Sequence, residues 1–297
     1  GVVNFIMDTS FEGIRFDGNW STWQHNQDNP SVSGGLNMSD ILAARGFAQP
    51  TGSVTDGRSI DGTVTIGAGF DDGRGHAVAY FGYRNVKPVL QRDRDYSACV
   101  MQNTGAGVPR CGGSATANPG TAVVFTEGTS TLAALGPGTI TVNAQNLYNF
   151  APLNYYQRPD ERYIAGAFAD YEISPAFKPY LEFMFMDDRT LAQIAPSGDF
   201  GNTLTINCDN PLMSAQQLAN ICTDDNMIVG FLGNFPVANG APFNDGGVNG
   251  TPGPGAPPID FFDARGNVYN QAFFQLLRRN TEGGPRISDL RHQAWRG

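Results

Sequence analysis

An all-β fold with antiparallel, up-and-down connectivity is predicted by two features of the sequence. Short runs alternate between apolar and polar residues, and the connections between them are by turns long and short. Composition points the same way. Only 16% of the 297 residues are charged, while 37 are Gly, 20 are Phe and 10 are Tyr. Few charges with many aromatics and glycines suit strands that face lipid on one side, and equally a secreted, loop-rich β-protein.

The runs follow in order. Gly1 to Met7 is a near-continuous apolar strand. Phe11 to Trp23 alternates, with Ile14, Phe16, Gly18 and Trp20 on one face and Gly13, Arg15, Asp17 and Asn19 on the other. Ser59 to Phe70 sets Val64, Ile66, Ala68 and Phe70 against Thr63, Thr65, Gly67 and Gly69. His76 to Arg84 places Ala77, Ala79, Phe81 and Tyr83 together. Arg162 to Tyr171 follows, then Lys178 to Arg189, where Leu181, Phe183 and Phe185 oppose Glu182 and Met184. Gln271 to Asn280 and Ser288 to Arg296 are the last runs.

Tight turns are expected at Asp71–Gly75, Ser174–Phe177 and Glu282–Pro285. Long gaps separate the remaining runs, notably Asn85 to Glu161 and Thr190 to Asn270. In an up-and-down sheet, alternate connections lie at the same end. All long loops then leave one end and all tight turns the other, which is the asymmetry of a transmembrane β-barrel with long extracellular loops. The loops are read as structureless, apart from a helical turn at Ser214–Asn220. Asn239 to Pro258 is close to low complexity.

The cysteines form two local groups, Cys99 with Cys111 and Cys208 with Cys222, each inside a long gap. Four cysteines allow three pairings, and local disulfides in an oxidising compartment are expected. The chain opens on GVVNFIM without a Met start or a basic leader, which predicts a fragment or a processed piece. It has no apolar run of about 18 residues for a membrane helix.

GVVNFIM followed by FEGIRFDGNW resembles the plug-to-barrel junction of TonB-dependent outer-membrane receptors. AGAFADYEISPAFKPYLEFMFMDDRT, CDNPLMSAQQLANIC and RRNTEGGPRISDLRHQAWRG resemble barrel segments of the same family. The resemblance implies that residues 1–10 end a plug domain and residues 11–297 begin a barrel, with about 7 of the 22 strands expected of such a receptor. It further implies uptake of a scarce nutrient, such as a ferric siderophore, a cobalamin or a glycan, across the outer membrane of a Gram-negative bacterium. The implied partners are a TonB-type energy-coupling protein reached through the N-terminal region, outer-membrane lipid and a small-molecule or oligosaccharide ligand. A passive porin-type barrel and a secreted β-rich binding or adhesion module are the alternatives.

Net charge −9 without a basic cluster argues against a nucleic-acid partner. His25, His76 and His292 sit in different runs, and no nucleophile elbow, phosphate loop or zinc motif is present, so neither an enzyme nor a metal or cofactor is expected. Asp224-Asp225-Asn226 reads as a solvated loop ahead of a calcium site. Arg92, Arg94 and Tyr96, with Tyr155, Tyr156 and Arg158, are the candidate ligand contacts, because Arg forks and Tyr rings suit anionic or polyhydroxyl solutes. Trp20 and Trp23 are expected in an aromatic girdle.

Overall fold

A computed structural model describes residue 2 and residues 7–28, 36–126, 129–232, 235–238 and 270–297. The expected opening strand, except Val2 and Met7, and the low-complexity stretch 239–258 lie outside the described residues.

Along the chain, β1 (Gly13–Asn26) leads through a short helix α1 (Met38–Ala43) to β2 (Ser53–Phe70) and β3 (Gly75–Val86). Then come the two-residue β4 (Val89–Leu90), β5 (Met101–Asn103), β6 (Pro109–Cys111), β7 (Thr121–Thr126), β8 (Thr129–Gly136) and β9 (Thr139–Val142). β10 (Tyr155–Gln157) precedes the long strands β11 (Asp160–Tyr171) and β12 (Tyr180–Ile194). β13 (Gly198–Asn207), α2 (Ala215–Ile221), β14 (Ile228–Leu232), β15 (Phe235–Ala238), β16 (Gln271–Arg279) and β17 (Arg286–Arg296) complete it.

The chain divides into two compact units: residues 1–98, 151–194 and 286–297, and residues 99–150 and 195–285. The first is built on a six-stranded antiparallel sheet in the order β1-β2-β3-β11-β12-β17. Every neighbour is the next of these strands in sequence, as up-and-down connectivity requires. The turns β2–β3 and β11–β12 are tight. Asp71 and Asp72 both take positive φ (54° and 51°), the left-handed pair that suits a right-twisted hairpin. Among the described residues this sheet is open, with β1 and β17 as its edges.

The register puts the sequence's separate alternations on one shared face. Phe16, Val64, Phe81, Ala165, Phe185 and Trp295 stand in a single row across all six strands. Ile14, Ile66, Ala79, Ala167 and Phe183 form the next row. Most of the large apolar side chains in these rows are exposed, among them Phe16 at 78%, Phe81 at 50% and Trp295 at 80%. The opposite face carries Arg15, Asp17, Asn19, Asp61, Thr63, Thr65, Arg162 and Asp188. Its polar groups meet across strands, as Asn19 Nδ2 donates to Asp61 (3.2 Å) and Arg162 Nε to Asp188 (2.8 Å).

The apolar band is slanted. On β1 it reaches Trp20, two rows beyond Phe16, whereas on β12 it stops at Phe185, in the Phe16 row, and Asp187 follows. That shift, from residue 20 back to residue 16 over the four steps β1→β2→β3→β11→β12, averages one residue per strand, and β17 adds none, because Trp295 shares the Phe185 row. Glycines let aromatic rings lie flat on the sheet. Phe70 and Tyr171 stack at 6.0 Å beside Gly75, where an added Cβ would fall 2.3 Å from the Phe70 ring. On the other face the Tyr80 ring covers Gly166 at the same distance.

The connections after β3 and β12 are not structureless. Together they form the second unit, whose five-stranded sheet runs β13-β16-β7-β8-β9. Gln271–Arg279, expected as a strand of the first sheet, pairs instead with β13 and β7. The first sheet therefore holds six strands of the seven expected, and the turn before Pro285 joins two sheets instead of closing a hairpin. The cause lies in the side chains: Ala272 (0% exposed) and Phe273 (3%) are buried on both faces of β16, the mark of a strand covered on two sides.

Both disulfides are local. Cys99–Cys111 closes the β5–β6 hairpin, and Cys208–Cys222 ties the end of β13 to the end of α2. Ser214 caps α2 in a reciprocal capping box with Gln217, which fixes the helical turn expected there. Ala122, Val124, Ala133, Ile140, Ile221 and Ala272 make the core of this unit.

Candidate functional site

The candidate ligand contacts lie in segments beyond the end of the first sheet where the long connections leave. A register shift between Ser21 and Trp23 breaks β1 there, and Gly57 on the paired strand takes φ 62°. An added Cβ at Gly57 would meet Val89 Cγ2 at 2.4 Å and Trp23 Cδ1 at 2.5 Å, so the close approach of these side chains needs glycine.

Trp23, His25, Tyr96 and Tyr156 converge around a cleft of about 280 Å³, with Gln24, Val89, Arg94 and Gln157 completing its wall. Trp23 Nε1 donates to Gln157 Oε1 (2.9 Å), and Gln157 Nε2 donates to the carbonyls of Gly57 (2.9 Å) and Lys87 (2.8 Å). One glutamine thus ties β10 to β1, β2 and the segment after β3. His25 Nε2 lies 3.0 Å from Asp95 Oδ1, and its ring meets Tyr96 edge-on at 5.3 Å. Tyr96 and Tyr156, far apart in sequence, stand 6.1 Å apart.

Arg94 is 4% exposed, and its guanidinium forks onto Asp56 at 2.9 and 2.6 Å. Those hydrogen bonds raise its pKa further above the usual value. Burial, then the nearby Tyr156, pushes the Tyr96 phenol upward, so it stays neutral and able to donate. Arg94 therefore acts as a buried strut, while the rings present faces to the cleft.

The six candidates separate in space. Arg94, Tyr96 and Tyr156 line the aromatic cleft, and Tyr155 and Arg158 line a different groove. Arg92 is exposed beside Asp93. Trp20 stands on the apolar face, whereas Trp23, beyond the β1 irregularity, turns to Gln157. Gln157 and Asp56 carry no sequence signal, and His25 reads there only as one of three scattered histidines, since no local pattern links positions 38 to 134 residues apart. Asn226 of the acidic loop is 1% exposed and accepts from the Phe125 N–H (2.7 Å), so this member of the cluster holds a core strand.

No family model, curated protein or solved structure matches the chain.

Proposed function

We propose that the chain is part of an outer-membrane β-barrel of the TonB-dependent receptor type, importing a scarce solute captured at the ends of its long loops. One observation carries the reading: the exposed apolar band whose boundary slips by an average of one residue per strand from β1 to β12. A barrel must tilt its strands, and tilt staggers the lipid-facing zone from each strand to the next in this way. A sheet covered by another protein layer has no reason to keep that slant.

Other features support the reading. Tight turns sit at one end of the sheet and long connections at the other. Disulfides lie only in the long connections, as in loops facing an oxidising exterior. Trp20, Tyr83 and Tyr163 border the band, where interfacial rings belong. The plug remnant at residues 1–10 and the energy-coupling partner follow from the sequence resemblance.

The test is fractionation of source cells, with detection by an antibody against this chain. The expected result is a detergent-extracted outer-membrane species of about 80–110 kDa, the size of a plugged barrel of this strand number, with heat-modifiable mobility. A species soluble without detergent would refute the reading.

A further inference from the structure

Tyr155 and Arg158 line a groove of about 640 Å³, together with Gln91, Asn154, Arg286 and Ser288. Two arginines, Arg158 and Arg286, and no carboxylate residue line it. That is a local reversal of sign in a chain with 28 acidic and 19 basic residues. Among the described residues, no ion pair within 4.0 Å engages Arg158, in contrast to Arg94, whose fork is taken by Asp56. Tyr155 adds a hydroxyl, and Asn154, Gln91 and Ser288 add neutral donors.

We propose that this groove binds a solute bearing carboxylate or phosphate groups, with Arg158 as the main contact, Arg286 as the second and Tyr155 at the wall. Guanidinium forks match such oxyanions in a bidentate way, and neutral donors complete the oxygen shell without repulsion. Lipid phosphate offers the same chemistry, and the register argues against it. Arg286 pairs with Ile194 and Ser288 with Ala192, so both lie on the face opposite the apolar band, and Gln193 and Ile287, which share the band's face, lie eight residues beyond Phe185 and Trp295. The choice of solute over lipid rests on reading that band as lipid-facing, whereas the charge of the groove does not.

The experiment uses the full chain in neutral detergent, titrated calorimetrically with citrate as the probe. Saturable binding that weakens with added salt is expected. Arg158→Gln should weaken it about tenfold, as loss of a charged hydrogen bond predicts, and Arg158→Lys by less. Arg110→Gln, on the β5–β6 hairpin, should leave it unchanged, and all variants should keep the parent circular dichroism. Absence of binding, or equal binding by Arg158→Gln, overturns the proposal. A parallel titration with phosphatidylglycerol micelles separates the sources: dependence on Arg158 there alone overturns the solute assignment. If the native protein fractionates as soluble while citrate binding still needs Arg158, the barrel reading fails and the groove stands.

Discussion

Burial, more than geometry, should decide what an ion pair contributes here, and the chain carries two pairs that isolate the variable. Arg94 forks onto Asp56 with side chains only 5% and 19% exposed. Arg189 forks onto Asp289 with side chains 61% and 44% exposed. Replacing Asp56 with Asn leaves the largely buried Arg94 charge beside a neutral amide. Breaking one side of a buried pair costs about 3–5 kcal/mol, and the partial exposure of Asp56 places the expectation near 3 kcal/mol. A double-mutant cycle with Asp56→Asn and Arg94→Gln should return a coupling energy of about 2 kcal/mol. The equivalent cycle on Arg189 and Asp289 should return none above error, because solvent screens that pair. The assay is urea unfolding of the full chain in micelles, followed by Trp fluorescence. Equal coupling in the two cycles would refute the argument that desolvation sets the difference.

Three further outcomes are expected. Phe81→Arg on the apolar face should impair heat-modifiable assembly by about 2–4 kcal/mol if the band meets lipid, whereas Thr65→Arg on the opposite face should assemble normally, as read on unboiled gels. Replacing Cys208 and Cys222 by Ser should cost about 3 kcal/mol through loop entropy and expose α2 to limited proteolysis, leaving the β1–β3 region resistant. The Glu282 carboxylate is held below its ordinary pKa of 4.5, first by its own backbone N–H and then by Arg278. A depressed folded-state pKa means that its stabilisation is present above the unfolded value and fades as pH falls through the folded one. Amide exchange at Thr281–Gly284 should therefore accelerate relative to neighbouring turns as the pH falls below 4.5.

The strands of the first sheet were legible because alternation is local. Phe81 and Phe183 each announce a face within four residues, and the turns at Asp71 and Ser174 announce the hairpins. What alternation could not supply was partnership. Gln271–Arg279 has the period of a strand, but nothing in it says that β13 and β7 are its neighbours in place of β17. The same limit hid the second sheet: β7 to β9 are rich in Thr, Ala and Val, and their burial comes from residues far along the chain such as Ile221 and Ala272. At the candidate site, Tyr96 and Tyr156 stood out as residue types, while their 6.1 Å approach depends on the register of β4 with β10. Arg94 stands out for its fork, and Asp56, which occupies that fork, lies 38 residues earlier, across the β2–β3 hairpin.

The pairing of β16 with β7 also bears on how such a molecule could be altered. Because each of the two longest connections supplies strands to one sheet, neither can be shortened, exchanged or grafted alone without baring an edge contributed by the other. A transplant meant to alter recognition would have to carry residues 99–150 and 195–285 as a matched set. Variation between relatives in these segments should accordingly be correlated, with lengths and compositions changing in concert.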